Sequence, residues 1–310
     1  MGAYESGTFG GVMLMKRTKI SPFALVVAAF LVVYTLVLFV PMIWGVNVSL
    51  KTANDATLSP FSVKFPLQFK NYLTVFNEFM IPIDVVQDGI IVGTTNYYME
   101  HMLWFTFVYA VCCSFINMAV TCIVAYITAR YDYRICKIID GIVIVAMILP
   151  IVGSMPSELR IMRALGMYDS LWGMMIMKAN FVGGTTFLIF NVAFKALPKD
   201  FSEAAQIDGA SNLDVMLTVM LPMAKTTFFT MWLLSFINYW NDYQTPLLYF
   251  PSKPTLSYGL FRFTTDTSGA GVDLPLSLAS CYMLMIPILV VFLFTSEKLI
   301  GNVSMGGLKE

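Results

Sequence analysis

Long apolar stretches separated by polar segments dominate the chain. The first stretch, residues 23–45, contains no charged residue, and at 1.5 Å per helical residue it is long enough to cross about 30 Å of hydrocarbon. Five further apolar stretches follow, of which the third is interrupted by Pro150 and Gly153. The predicted spans are 23–45, 102–129, 138–155, 170–194, 222–241 and 274–296. This pattern predicts an all-α polytopic membrane protein with six transmembrane helices.

The polar segments differ in their content of lysine and arginine. Eleven of these cations lie in or beside the terminal segments and the segments that follow spans two and four, whereas the two short loops after spans three and five hold four. Because positive residues are enriched on the cytoplasmic side of a membrane, both termini are predicted to be cytoplasmic. The first span is interpreted as a retained signal anchor, since it exceeds the usual apolar core of a cleaved signal peptide.

The chain therefore divides into segments with predicted sides. These are a cytoplasmic N-terminal segment (1–22), a transmembrane domain (23–296) with external loops at 46–100 and 242–273 and a cytoplasmic loop at 196–221, and a cytoplasmic tail (297–310).

Composition agrees with a membrane protein and argues against several other functions. Hydrophobic residues make up 58% of the chain, charged residues 12%, and the net charge is zero, so nothing indicates nucleic-acid binding. The five cysteines and the single histidine, His101, form no recognisable metal site or disulfide framework. No catalytic constellation, cofactor site or Gly-x-x-x-x-Gly-Lys-[Ser/Thr] phosphate-binding motif is present. Energy for uphill transport must come from a partner or from an ion gradient.

The polar loop 196–221 has the pattern of ordered helices. Pro198 should end the preceding helix, and Asp200 or Ser202 can cap a short new helix that carries Glu203 in its first turn. On that helix Phe201, Ala204, Ala205 and Asp208 are expected to share one side.

Glycine and serine then set the second half of this loop. Gly209 tolerates a positive φ and should stop the short helix. Ser211 followed by Asp214 is a capping-box pattern that starts the next one. The loop is therefore predicted to form a helix, a glycine bend and a second helix at the membrane surface.

This stretch resembles the EAA-loop signature of permease subunits of binding-protein-dependent ABC importers, most closely the carbohydrate-uptake, MalG-like branch. The matching residues are Glu203, Ala204, Ala205, Asp208, Gly209, Ala210, Val219, Leu221 and Pro222. The resemblance implies a type I ABC importer permease fold in the cell membrane of a bacterium or archaeon. In that family the loop is a coupling helix that docks on a cytoplasmic P-loop ATPase dimer. A second, homologous permease subunit and an extracellular solute-binding protein are the other partners implied.

Two further segments are related to the family by position. The tail residues Gly306, Gly307 and Lys309 are similar to the glycine-rich tail that contacts the ATPase dimer. The loop 242–273 corresponds in position and length to one that reaches into the binding protein, although an ordinary surface loop is an equal alternative.

Polar residues within the spans are candidates for a solute pathway. Ser235, Asn238, Tyr239 and Asp242 share one face of the fifth predicted helix, and Asn180, Gly184 and Asn191 share a face of the fourth. Hydroxyl, amide and aromatic groups suit a neutral polyhydroxy solute, although the same groups can instead join helices by hydrogen bonds. Lys178 is expected to extend outward.

Two other transport functions are alternatives to sugar uptake. An ABC permease for a polyamine or a phosphate would need compensating charges along the pathway, and Lys178 is the only charge well inside a span. A self-contained secondary carrier would be expected to place carboxylates near mid-membrane, whereas Asp140 and Asp242 lie at the ends of predicted spans.

Overall fold

A computed structural model of the chain describes residues 22–87, 90–149, 153–182, 184–265 and 273–305. The helices are α1 (Pro22–Ser49), α2 (Ala53–Leu58), α3 (Lys70–Glu78), α4 (Met99–Arg130), α5 (Arg134–Ile148), α6 (Met155–Ala164), α7 (Leu171–Lys178), α8 (Thr185–Ala196), α9 (Asp200–Ile207), α10 (Asn212–Asp214), α11 (Leu221–Met223), α12 (Lys225–Asn241), α13 (Gln244–Tyr249), α14 (Leu256–Thr265) and α15 (Leu274–Met305). A π-helical segment, Val215–Met220, joins α10 to α11. The prediction of a mostly helical protein is confirmed.

Among the described residues, three helices are long and apolar enough to cross a membrane. They are α1, α4 and the Leu274–Phe294 part of α15. A fourth span is possible if Asn212–Met223 and Lys225–Asn241, which meet at an angle of 71°, act as one broken helix. The prediction of six continuous spans is therefore not confirmed.

The third and fourth predicted spans are interrupted or short. α5 has 15 residues and ends at Ile148, and the fourth predicted span is divided into α7 and α8. α8 begins after Gly184, whose φ of +54° is one that L residues rarely adopt. Asn117 of α4 donates hydrogen bonds to the carbonyls of Lys178 and Asn180 at 2.9 and 3.0 Å, which satisfies backbone groups that the break leaves free.

α4 is the central helix of the described structure. It packs against α8, α12, α7 and α14. Near the end that carries Arg130, the core contains Tyr126, Phe190 and Phe194. Near its other end, Met102 belongs to a second core with Trp240.

The segment between α1 and α4 is ordered. It contains an antiparallel hairpin of β1 (Met80–Gln87) and β2 (Ile90–Tyr98), which the sequence analysis did not predict. Phe79 and Ile81 are buried against Met102, so the first strand is fixed on the helical core. The alternating Ile81-Pro82-Ile83 pattern is a weak strand signal, because proline is rare in paired strands.

The segment between α12 and α15 is also folded onto the helices. Tyr249 of α13 donates a hydrogen bond of 3.0 Å to Glu158 of α6. Burial and the neighbouring Glu158 raise the pKa of Tyr249 to about 12, so the phenol stays protonated and keeps donating at physiological pH.

The last helix is longer than predicted. α15 continues to Met305, beyond the predicted span end at residue 296, so part of the predicted tail 297–310 is helical. The predicted tail contacts Gly306, Gly307 and Lys309 lie outside the described residues.

Candidate functional site

The loop between α8 and α12 begins with the short helix α9. Its N-cap is Lys199, which has helical backbone angles and makes no capping bond with its side chain. The prediction that Asp200 or Ser202 caps this helix is wrong. Asp200 is already the first helical residue, and the Ser202 hydroxyl donates back to the carbonyl of Lys199 at 2.9 Å.

Gly209 ends α9 in a Schellman motif. Its φ is +88°, its N–H donates to the carbonyl of Gln206, and the N–H of Ala210 donates to the carbonyl of Ala205, both at 3.0 Å. These are the two backbone bonds that define the motif, and the glycine position tolerates the left-handed conformation without a Cβ penalty. The predicted glycine stop is confirmed.

The next helix starts at the predicted capping box. Asp214 N–H donates to the Ser211 hydroxyl at 3.3 Å, and Ser211 N–H donates to the Asp214 carboxylate at 3.0 Å. The π-helical segment and α11 follow, and the chain bends at Ala224 before α12. The predicted helix, glycine bend and helix are therefore present.

The two alanines of the EAA signature face different surroundings. Ala205 and Ala210 pack against the core that contains Tyr126 and Phe194, because the Schellman motif brings them together. Phe201, Ala204 and Asp208 are exposed. Helical spacing places Ala205 on the predicted side with Phe201, Ala204 and Asp208, but Ala205 is half-buried against the core, whereas the other three are exposed.

The rest of the signature lies at the bend that leads into α12. Val219 and Leu221 pack against the same core as Ala205. Pro222 is the second residue of α11 and directly follows the π-helical segment, which accommodates the N–H that proline lacks. Four apolar side chains of the loop are exposed, Ile207 at 86% and also Phe201, Leu213 and Leu217, and they lie among exposed polar residues that include Glu203 and Asp208.

A cavity of about 130 Å³ separates α9 from the end of α4. Arg130 and Tyr126 line one side, and Lys199, Glu203 and Gln206 line the other. The Arg130 Nη2 donates to the carbonyl of Leu197 at 3.0 Å, whereas its buried Nε has no hydrogen-bond partner within the described residues. Arg130 thus joins α4 to the start of the loop.

A polar cluster lies where α12 ends. The Asp242 carboxylate accepts hydrogen bonds from the hydroxyl of Tyr109 at 2.9 Å and from the N–H of Thr245 at 3.0 Å. The rings of Tyr109 and Tyr239 meet edge to face, with centroids 5.6 Å apart. Two of the predicted pathway residues, Tyr239 and Asp242, are therefore brought together by Tyr109 of α4.

Lys178 belongs to the same cluster. Its Nζ lies 5.4 Å from the centroid of the Tyr239 ring, within the range of a cation–π interaction. The expectation that Lys178 extends outward is therefore wrong, because the ring of Tyr239 offers the ammonium group a partner. Asn180 follows α7 and lies outside both α7 and α8, so the predicted helical face of Asn180, Gly184 and Asn191 does not exist.

The remaining predicted pathway residues are separate from this cluster. Asn191 is buried and donates to the hydroxyl of Thr128 at 2.8 Å, which is the helix-joining role. Asn238 is exposed and Ser235 is half-buried on α12. A role in solute passage remains a prediction for all three.

Sequence analysis assigned no site role to Arg130, Tyr109 or Thr128. Arg130 was used only as an indicator of the cytoplasmic side, and the two α4 hydroxyls lie in an apolar stretch without a motif. Their partners are 67, 133 and 63 positions away in the sequence, so only the fold reveals them.

Comparison with known proteins supports the same kind of transport component. The chain is 22% identical over 286 residues to the diacetylchitobiose uptake system permease protein NgcG of Streptomyces coelicolor, covering 92% of this chain and 88% of the relative. It is 29% identical over 188 residues to the melibiose/raffinose/stachyose import permease protein MelC of Bacillus subtilis, covering 60% of this chain and 67% of the relative. A solved bacterial ABC transporter that imports the acidic polysaccharide alginate has a chain that superposes with a TM-score of 0.72 at 21% identity, covering 89% of this chain and 95% of that chain.

The match to a family model extends over residues 123–297. That range is more than half of the chain and includes the whole Glu203–Pro222 signature, the broken α7–α8 region and three residues of the polar cluster, Lys178, Tyr239 and Asp242. The chain therefore belongs to the family of binding-protein-dependent transport system inner membrane components.

Proposed function

We propose that this chain is a permease subunit of an ATP-driven importer for a sugar or oligosaccharide. The observation that carries the proposal is the loop from α9 to α11, which is anchored on one side and exposed on the other. Ala205 and Ala210 pack on the helical core, while Phe201 and Ile207 are exposed. Such a surface fits a cleft on a separate ATPase, which supplies the energy.

The coupling step follows from how this loop is attached. A force applied to α9 by the ATPase dimer passes through Ala205 and Ala210 into the α4–α8 core, and through Arg130 into the end of α4. The bend at Ala224 gives α12 a point about which its angle to α11 can change. Movement of α12 would alter the Tyr109–Tyr239–Asp242 cluster, and coupling requires that the ATPase binds the two arrangements with different affinities.

The subunit arrangement is proposed from the family and from the charges. A second, homologous permease completes the pathway, an extracellular solute-binding protein delivers the solute, and the ATPase dimer lies at the loop 196–221. The excess of lysine and arginine beside this loop supports a cytoplasmic side for it and for both termini.

A neutral sugar or oligosaccharide is the proposed solute. The relatives named for diacetylchitobiose and for melibiose, raffinose and stachyose support this class. Tyrosine rings can pack against the apolar faces of sugar rings, and hydroxyl and carboxylate groups can bind their hydroxyl groups. The position of Lys178 in the polar cluster favours a different class of solute, an acidic oligosaccharide. An ammonium group within the pathway would attract the carboxylate groups of such a solute.

The proposal is tested by purifying the tagged chain in a mild detergent with everything that remains bound to it. We expect a P-loop ATPase and a second membrane subunit, and we expect both to be reduced in a Gly209→Pro variant that still inserts. The complex is then reconstituted with its binding protein and offered neutral oligosaccharides, alginate oligomers, spermidine and phosphate.

Stimulation of ATP hydrolysis by neutral oligosaccharides alone would support the proposed class. Stimulation by alginate oligomers alone would favour the acidic class. Recovery of the chain alone, with uptake driven by an ion gradient, would contradict the importer itself.

A further inference from the structure

The loop between α1 and α3 has an unusually apolar surface. We define this outer loop as residues 52–69. Its exposed large apolar side chains are Leu58, Phe61, Val63, Phe65 and Phe69. Phe61 and Phe65 are 83% and 80% exposed, and contact of this much apolar surface with water is unfavourable.

Hydrogen bonds close the outer loop at its base. The Lys51 Nζ donates to the carbonyls of Ser59 and Pro60 at 2.8 and 2.9 Å. The N–H of Gln68 donates to the carbonyl of Leu50 at 2.8 Å. The two ends of the outer loop therefore meet beside the C-terminal end of α1. These bonds fix the position of the loop and of the apolar side chains that it carries.

A second set of contacts joins the base of the loop to α3. The Asn71 side-chain amide donates to the carbonyls of Ser49 and Lys51, both at 2.8 Å. The Ser49 hydroxyl also lies 2.7 Å from the hydroxyl of Tyr72. α3 therefore holds the base of the loop against the end of α1.

The apolar part of the loop folds back along α1. The Asn47 side chain donates to the carbonyl of Ser62 at 3.3 Å, and the rings of Trp44 and Phe61 lie with centroids 6.2 Å apart. Trp44 precedes the last residue of α1, Ser49, by about 7 Å along the helix axis. Phe61 is therefore at the depth of Trp44, inside the end of the helix.

This depth corresponds to the boundary of a bilayer. α1 has 28 residues and is about 42 Å long, whereas the hydrocarbon core is about 30 Å thick. The predicted span 23–45 ends one residue after Trp44, so we expect Trp44 near the edge of the hydrocarbon and the final turn of α1 beyond it. Tryptophan is enriched at this level, and the long side chains of Lys64 and Lys70, both exposed in and beside the loop, can extend their charges toward water.

We propose that the outer loop inserts Phe61, Phe65 and Leu58 into the interfacial layer of the lipid bilayer beside α1. Lipid is the proposed occupant because Phe61 contacts Trp44, so the apolar surface of the loop continues that of α1, a helix long and apolar enough to cross a membrane. Ile43, one residue before Trp44, is 67% exposed. Insertion would fix the depth and tilt of α1, in the manner of an interfacial anchor.

The proposal is tested by photo-crosslinking in the assembled transporter, reconstituted in phosphatidylethanolamine and phosphatidylglycerol nanodiscs. p-Benzoylphenylalanine, which keeps the phenyl ring and adds a benzoyl group to it, replaces Phe61 or Phe65 at these exposed positions, and adducts are identified by mass spectrometry. Ile43 on α1 is the positive control for lipid contact. Asn54, an exposed polar residue of α2 in the same loop, is the matched control.

We expect phospholipid adducts at positions 43, 61 and 65, with at least five-fold less at position 54. Adducts to the solute-binding protein or to the second permease at 61 and 65 would overturn the proposal, as would an absence of lipid adducts there while position 43 gives them. Fluorescence of a bimane label on a Phe65→Cys variant provides an independent readout. Quenching by lipids that carry a nitroxide in the upper acyl chain is expected, and quenching by aqueous iodide alone would overturn the proposal.

Discussion

The Arg130 side chain joins α4 to the beginning of the loop 196–221 by a hydrogen bond. Its bond to the Leu197 carbonyl is charge-assisted, and such bonds contribute about 1.5–3 kcal/mol. We expect Arg130→Met to leave insertion and ATPase binding unchanged but to lower the solute transported per ATP about ten-fold. The measurement is the ratio of uptake to ATP hydrolysis in proteoliposomes.

The matched control for this prediction is Arg134→Met. Arg134 is an exposed cation at the start of α5, whereas Arg130 ends α4, and loss of Arg134 removes the same charge from the same region. Equal ratios in the two variants would show that charge, and not the contact with Leu197, is responsible.

The ring of Tyr239 contacts both the ring of Tyr109 and the ammonium group of Lys178. Tyr239→Ala removes the ring that both contact, so we expect the apparent affinity for solute to fall about ten-fold, in line with the loss of one aromatic and one cation–π contact. Tyr239→Phe keeps the ring and should retain most of the affinity. The measurement is the solute concentration that gives half-maximal uptake, with assembly checked by co-purification, and equal values in both variants would favour a helix-packing role.

At the scale of elements, the conformation of Gly209 determines how α9 ends. Its φ is +88°, and a Cβ added there would meet no heavy atom within 4 Å. Substitution is therefore limited by backbone conformation rather than by space. We expect coupling to decrease in the order Gly209→Asn, Gly209→Ala, Gly209→Pro, because asparagine adopts this conformation most readily and proline cannot adopt it.

Gly93→Ala in β2 is the control for this series. A Cβ added there also meets nothing within 4 Å, and no positive φ is required. Solute-stimulated ATP hydrolysis is the measurement. A Gly209→Ala variant as active as Gly93→Ala would contradict the requirement for a left-handed residue.

The capping box determines how the next helix begins. Ser211→Ala removes the side-chain acceptor for the Asp214 N–H, and loss of such a cap speeds local opening by about five-fold. Hydrogen exchange of the backbone from residue 212 to residue 218 measures this effect. Ser202→Ala is the control, since Ser202 donates to a carbonyl within the first turn of α9 and caps no N–H; equal exchange in the two variants would contradict the capping role.

The sequence predicted the local structure of the loop better than the path of the helices. Gly209, Ser211 and Asp214 act on backbone groups within three residues of themselves, so their spacing is sufficient to predict the turn and the cap. The break between α7 and α8 depends on Asn117 and Thr121, about 60 positions earlier. The residues on both sides of this break are apolar, and hydropathy alone does not indicate where a helix ends. The sequence therefore predicted one continuous span.

At the scale of the whole molecule, the interrupted helices raise the question of how many times the chain crosses the membrane. α5, with 15 residues, is about 22 Å long, less than the hydrocarbon thickness of about 30 Å. α7 and α8 are each shorter still, but α4 supplies hydrogen bonds to the carbonyls of Lys178 and Asn180 at the break between them. A broken segment is tolerated in a membrane where protein satisfies its backbone.

We therefore expect six crossings, with α7 and α8 together forming one of them. The measurement is labelling by a membrane-impermeant maleimide of single cysteines introduced as Asp132→Cys, Gly166→Cys, Asp208→Cys and Ser252→Cys, in a chain whose five native cysteines are replaced by alanine. Intact cells should label positions 166 and 252, and positions 132 and 208 should react only after permeabilisation. Labelling of 208 in intact cells would place the coupling loop outside, where no ATPase could reach it. Protection of 166 would mean that α5 and the α7–α8 pair do not cross, leaving a four-span chain in which the same hydrogen bonds hold a re-entrant segment.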